Sequence, residues 1–160
     1  GFDMRVLYYD PYTPPEAVEA EAESVTLDTL LVASDFVSLH VPLTDETHHL
    51  IGAEELAKLK PTAILVNTAR GPVVDPEALY AALHDGNLAA AALDVTEPEP
   101  INMDNPLLTL PSCIVVPHIA SSSHATRTQM SVIAAQNLLA GLRGEPLPPC
   151  VNPEVYDQDM

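Results

Sequence analysis

A chain of 160 residues with 47% hydrophobic and 18% charged residues has material for one packed domain and is too apolar to be disordered. Six Lys and Arg against 23 Asp and Glu give a formal charge of −17, which argues against nucleic-acid binding, since that needs a basic footprint. No apolar run reaches the length of a membrane span and the start, Gly1 to Arg5, is no signal peptide, so a soluble cytoplasmic protein is expected.

In chain order, residues 4–9 are predicted as a strand, followed by Asp10 and Pro11. Residues 14–23 form a polar, acidic connection. Asp28 is placed to cap a short helix ending near Ala33, and Phe36–Leu39 is the next strand, running into His40, Val41 and Pro42. A loop through Thr44 and Thr47 leads to a helix over 53–60, with Leu56 and Leu59 at helical spacing and Pro61 as its stop.

Residues 63–66 are a short apolar run between Pro61 and Gly71, the pattern of a strand buried on both faces. It ends in Asn67, Thr68, Ala69 and Arg70. Asp75 then serves as N-cap and Pro76 as the first residue of a helix over Pro76–His84, with Gly86 after its end. A strand of small residues over 89–93 stops at Asp94, ahead of the loop Glu97-Pro98-Glu99-Pro100. Residues 113–116 form the last strand, ending in Pro117 and His118. His124–Arg143 is a long helix with an apolar stripe through Met130, Ile133, Ala134, Leu138 and Leu142, stopped by Gly144.

Strands alternating with helices predict an α/β fold with a doubly wound parallel sheet. Residues 1–143 make its one domain, and 144–160 are a proline-rich tail. Each predicted strand ends in a polar or ionisable residue: Asp10, His40, the Asn67 to Arg70 group, Asp94 and His118. In an open α/β sheet ligands bind beyond the carboxyl ends of the strands, so these residues converge on a candidate site.

Asp10 stands where a Rossmann-like fold places the acid that takes a ribose diol. The glycine fingerprint belongs about 20 residues before such an acid, and only nine residues precede this one. The expectation is a Rossmann-like sheet lacking its first strand and glycine-rich loop. His118, with the small residues Ala120 and Ser121 after it, is suited to move a proton near neutral pH. A carboxylate beside it, with Glu99 the best placed, favours imidazolium and holds the ring. Arg70 suits an anion, or a surface salt bridge in so acidic a chain. The adjacent His48 and His49 fit an exposed loop better than a metal site, and no metal is expected. Cys113 and Cys150 have neither metal-like spacing nor the number for a disulfide framework, and are taken as inert thiols.

Asn67-Thr68-Ala69-Arg70-Gly71 with Val74-Asp75, Leu93 to Pro100, and Pro117-His118-Ile119-Ala120-Ser121 resemble three ordered blocks of one family, the D-isomer-specific 2-hydroxyacid dehydrogenases. Tyr9 to Pro11 and His40 to Thr44 also fit, and within the family the resemblance is greatest to glyoxylate/hydroxypyruvate reductases. Thr96 departs from it, standing where an aromatic residue is common. The resemblance implies NAD as cofactor, a small 2-oxo or 2-hydroxy acid as substrate, and a homodimer for the full-length form. It implies Arg70 on the substrate carboxylate and keto oxygen, His118 as acid and base, and Glu99 as its partner. Asp10 would take the adenosine ribose. Thr68, Ala69, Arg70, Asp94 and His118 would approach the nicotinamide half, with His40, Val41, Pro42, Thr47, Ala120 and Ser121 completing the cofactor contacts.

Two other readings stand beside this one. A non-enzymatic NAD-sensing protein needs the cofactor contacts but not Arg70, Glu99 and His118 together. Another Rossmann enzyme, such as a methyltransferase, uses Asp10 but has no need of Arg70 or His118.

Overall fold

The computed structural model describes residues 3–13 and 21–156. Most of the predicted acidic connection, over 14–20, and the last residues of the tail lie outside the described residues. The chain divides into two compact units, Gly1–His118 and Ile119–Met160.

The first unit is built on a four-stranded parallel sheet. Its strands are β3 (Phe36–Leu39), β4 (Ile64–Asn67), β5 (Ala90–Leu93) and β6 (Cys113–Val115), in that spatial order. Helix α1 (Leu27–Ala33) precedes β3, α2 (Ala53–Lys58) joins β3 to β4, and α3 (Pro76–His84) joins β4 to β5. The register sets Val37 beside Leu65 and Leu65 beside Ala91, and Leu39 beside Asn67 and Asn67 beside Leu93. The apolar residues among these are buried in one core with Leu31 of α1, Leu56 of α2 and Leu79 and Leu83 of α3. Each such leucine removed from water contributes about 1.5–3 kcal/mol.

The intervening residues face the other way and are less covered. Ile64 and Val66 are only half-buried, while Phe36 and Ile114 are more than half exposed. The run 63–66 is therefore not a strand buried on both faces; within this unit one face of the sheet carries the core and the other does not. A second sheet pairs β1 (Leu7–Tyr8) with β2 (Glu23–Ser24) in parallel. Sequence patterning put Glu23 at the end of the polar connection and assigned Ser24 to no element. Two exposed residues carry no apolar signal, and this strand is defined by backbone hydrogen bonds, with Glu23 N–H donating to Val6 O and Val25 N–H to Tyr8 O.

Helix ends follow local chemistry. Asp75 caps α3, its carboxylate accepting from the backbone N–H of Glu77 and Ala78, and Gly86 takes the left-handed conformation beyond the end (φ 74°). Helix α1 is capped by Thr26 rather than Asp28: the Thr26 hydroxyl accepts from Thr29 N–H, and Asp28 falls in the first turn, where it pairs with Lys58. Helix α2 ends at Lys58, two residues early, with Leu59 as its C-cap.

The second unit contains α4 (His124–Arg143), bounded as the sequence predicts. Ser123 caps it by accepting from Thr126 N–H, and Gly144 ends it in the left-handed region (φ 68°). Of the predicted stripe, Met130, Leu138 and Leu142 are exposed, and Ala140 is the buried residue of this helix. Further on, the Leu147 N–H donates to the Tyr156 hydroxyl beside the short turn Pro153–Tyr156.

Candidate active site

The carboxyl ends of β4, β5 and β6 are laced together by backbone and side-chain hydrogen bonds. Asn67, 1% exposed, ends β4 and turns its amide back on the loop that follows. Its Oδ1 accepts from Ala69 N–H at 3.0 Å and its Nδ2 donates to the Arg70 carbonyl at 2.9 Å. The Asn67 carbonyl accepts from Asp94 N–H, and the Asp94 carbonyl accepts from His118 N–H, each at 2.9 Å. A continuous path thus runs from Arg70 through Asn67 and Asp94 to His118. Asn67 was visible in sequence as a polar strand end, but its role as the fastening beneath Arg70 was not. A buried amide with both ends engaged is what a fixed turn requires.

His118 has a left-handed backbone (φ 52°), a conformation that costs a residue with a Cβ about 1 kcal/mol or more and persists where the surroundings impose it. Its Nδ1 lies 2.6 Å from Oε1 of Glu99, so the ring is held through that nitrogen. Both side chains are roughly half exposed and open to a ligand.

Arg70 is exposed, and its Nη1 donates to the Ala69 carbonyl at 2.6 Å. The other cations of this unit are neutralised: Arg5 pairs with Glu23, Lys58 with Asp28 and Lys60 with Asp35. Arg70 has no carboxylate partner among the described residues. Arg70 lines a groove with Thr68, Ala69 and residues His40 to Leu43. His40 is itself tied to Ser38, at 2.8 Å from the hydroxyl. Thr47 does not face this groove with a spare hydroxyl: it donates to the Pro42 carbonyl at 2.6 Å and accepts from Thr44 N–H, closing the loop on itself. Ala69 is buried and offers its backbone.

Asp10 lies beyond the end of β1 in a separate concavity with Tyr9, Ser24 and Thr26. Its Oδ1 accepts from the N–H groups of Tyr12 and Thr13. The bond from Tyr12 N–H, then those from Thr13, hold its carboxyl below the usual carboxylate range, so it remains ionised. Ala120 and Ser121 belong to the second unit, in the turn ahead of α4.

Sequence reasoning missed a second histidine–glutamate pair. Nε2 of His49 lies 2.9 Å from Oε2 of Glu97, and its Nδ1 4.0 Å from Asp75 Oδ2. The residues are 48 apart in sequence, and no periodic pattern connects them. One ring nitrogen from each of His48 and His49 and one carboxylate oxygen of Glu97 lie within 4.8 Å of one another. The two rings, however, stack at 4.0 Å and 27°, which sends their in-plane lone pairs side by side rather than onto one ion.

A four-stranded parallel α/β sheet with an arginine, a histidine and a glutamate beyond its strand ends, and an acid beyond β1 of the smaller parallel sheet, is the class of arrangement found in Rossmann-like dinucleotide-binding domains. Residues 1–120 match the NAD binding domain of the D-isomer specific 2-hydroxyacid dehydrogenases, and the chain belongs to that family. It is 55% identical over 156 residues to a glyoxylate reductase of Korarchaeum cryptofilum, covering 97% of this chain and 47% of that protein. It is 52% identical over 158 residues to glyoxylate/hydroxypyruvate reductase B of Shigella boydii, covering 98% of this chain and 49% of that protein. Among solved structures it resembles D-lactate dehydrogenase with NAD+ from Lactobacillus jensenii, with TM-score 0.82 and 33% identity over 90% of this chain and 47% of that one. The chain thus spans about half the length of these relatives.

Proposed function

We propose that the protein containing this chain transfers hydride between NAD(H) and a small D-2-hydroxy acid or its 2-oxo acid, with glyoxylate and hydroxypyruvate as the substrates to try first. The observation that carries the reading is the His118–Glu99 pair at 2.6 Å on the same sheet edge as an arginine with no acid partner. The names of the relatives support the substrate class.

The described residues fit the cofactor. The ionised Asp10 keeps Oδ2 for the ribose hydroxyls while Oδ1 is engaged by backbone N–H groups. The groove formed by His40 to Leu43 and Thr68 to Arg70 offers apolar and backbone contacts for the other half. Bound NADH supplies the hydride. The protein orients the acceptor and moves the proton. Arg70 donates in a planar fork to the substrate carboxylate and keto oxygen. Protonated His118 gives the Nε2 proton to that oxygen as it becomes a hydroxyl, and takes it back in the reverse direction. Glu99 holds the ring through Nδ1 and stabilises the imidazolium. The balance is one 2-oxo acid, one NADH and one proton giving one 2-hydroxy acid and NAD+.

The reading extends to a homodimer in the cytoplasm. No helix among the described residues is long and apolar enough to cross a membrane, and light scattering checks the assembly. The deciding experiment follows NADH consumption by the whole protein with glyoxylate or hydroxypyruvate. His118→Asn is expected to lower kcat by roughly 10²–10⁴-fold. NADH binding without turnover of any 2-oxo acid would overturn the enzyme and leave the sensor.

A further inference from the structure

His49 and His118 share an uncommon feature: both have left-handed backbones, with φ of 51° and 52°. Each is also paired with a glutamate of the same short loop, His49 with Glu97 and His118 with Glu99. The backbone of His49 is held in place by its N–H donating to the Pro72 carbonyl at 2.7 Å. The segment continues alongside the same turn, with Ile51 N–H donating to Val73 O and Asp75 N–H to Ile51 O. His49 is therefore anchored on the turn that follows Arg70, and its ring reaches across to the loop that carries Glu99.

The two loops touch there. A Cβ on Gly71 would sit 1.9 Å from the Thr96 carbonyl oxygen and 2.8 Å from Glu97 N. Backbone contact sets their closest approach, but it does not fix how the Glu97–Pro98–Glu99 segment is rotated against the turn. The His49–Glu97 bond fixes that rotation. Only Pro98 separates the two glutamates; its ring fixes φ and its carbonyl accepts from the Thr96 hydroxyl at 2.9 Å, so a displacement of Glu97 reaches Glu99 through one restrained residue.

We infer that His49 is a positioning residue: through Glu97 it sets the loop, and so the placement of Glu99 against His118. The inference rests on the proposed acid–base role of His118. The groups facing His49 are Glu97, Asp75 and the stacked His48, and the group facing His118 is Glu99. His49 and Glu97 are each about one-third exposed, so water competes for the bond and its loss acts on geometry more than on stability.

The test measures reduction kinetics of the whole protein. His49→Ala is expected to lower kcat about tenfold, in keeping with the cost of a sub-ångström misplacement, and to leave the KM for NADH unchanged. His49→Gln, whose amide nitrogen can occupy the Nε2 position and donate to Glu97, should return kcat to within about twofold of the wild type. On a Glu99→Gln background His49→Ala should add nothing, since the two act in one chain of contacts. Full additivity, or a kcat that His49→Gln does not restore, overturns the inference. If Glu99→Gln and His118→Asn both leave turnover intact, the acid–base reading has failed instead. NMR of the His118 ring then decides the positioning on its own: changed ring-proton chemical shifts in His49→Ala sustain it, and unchanged ones overturn it.

Discussion

Nδ1 of His118 and Oε1 of Glu99 stand 2.6 Å apart, on residues brought together from beyond the ends of β6 and β5. Glu99→Gln keeps the shape of the side chain but removes the charged oxygen that holds Nδ1. A ring held less firmly delivers its proton less well, so kcat for reduction of a 2-oxo acid by the whole protein should fall about tenfold or more, with the KM for NADH unchanged. Steady-state kinetics check it. An unchanged kcat would separate Glu99 from the proton transfer.

Arg70→Lys keeps a charge but loses the planar fork. Arg70 is built into a turn fastened by Asn67 and is not neutralised by any described acid, so its charge is available to a ligand. Lysine can meet a carboxylate but cannot fix a keto oxygen beside it, and misplacement by about 1 Å can cost 10²-fold in rate. Steady-state kinetics and a melting curve on the same sample are the check. Near wild-type kcat/KM would remove Arg70 from substrate binding.

Gly71→Ala should destabilise the chain by about 1–3 kcal/mol or more, the usual range for overpacking. The added methyl meets backbone, with the Thr96 carbonyl carbon at 2.2 Å, so no side-chain rotation relieves it. The glycine is demanded by close approach of two loops. A denaturant midpoint measured against wild type tests this, and an unchanged midpoint would mean that the loops separate freely.

Burial raises the Cys113 thiol pKa above its ordinary value. A raised pKa leaves less thiolate at any given pH, and the thiolate is the reacting form. Alkylation of Cys113 should therefore be slower than that of a small free thiol at mildly alkaline pH, with its rise displaced to higher pH. Mass-spectrometric rates across pH give the answer.

What the sequence revealed follows the range of the interactions involved. Helices α3 and α4 were legible to the residue because Asp75-Pro76 and Gly86, or Ser123 and Gly144, act locally. The His118–Glu99 pairing was legible because the two residues follow the ends of β6 and β5, neighbouring strands of one parallel sheet. Strand β2 was not: two exposed residues become a strand only through the partner they bond. The Asp28 cap failed because Thr26, two residues earlier, has the better-placed hydroxyl. The His49–Glu97 pair was beyond reach, since neither residue carries a pattern and the left-handed backbone that aims the ring is a tertiary effect.

Arg70 stands without an acid partner in a chain whose formal charge is −17. An anionic ligand approaching it meets repulsion from afar and attraction only at contact. Added salt screens charges beyond a Debye length of about 10 Å at 0.1 M far more than it weakens a contact pair. Ionic strength should therefore separate arrival from holding. The rate of encounter with an anionic substrate should rise with added salt, opposite to the behaviour of an electrostatically steered enzyme, while the substrate, once seated on the guanidinium, should leave at nearly the same rate.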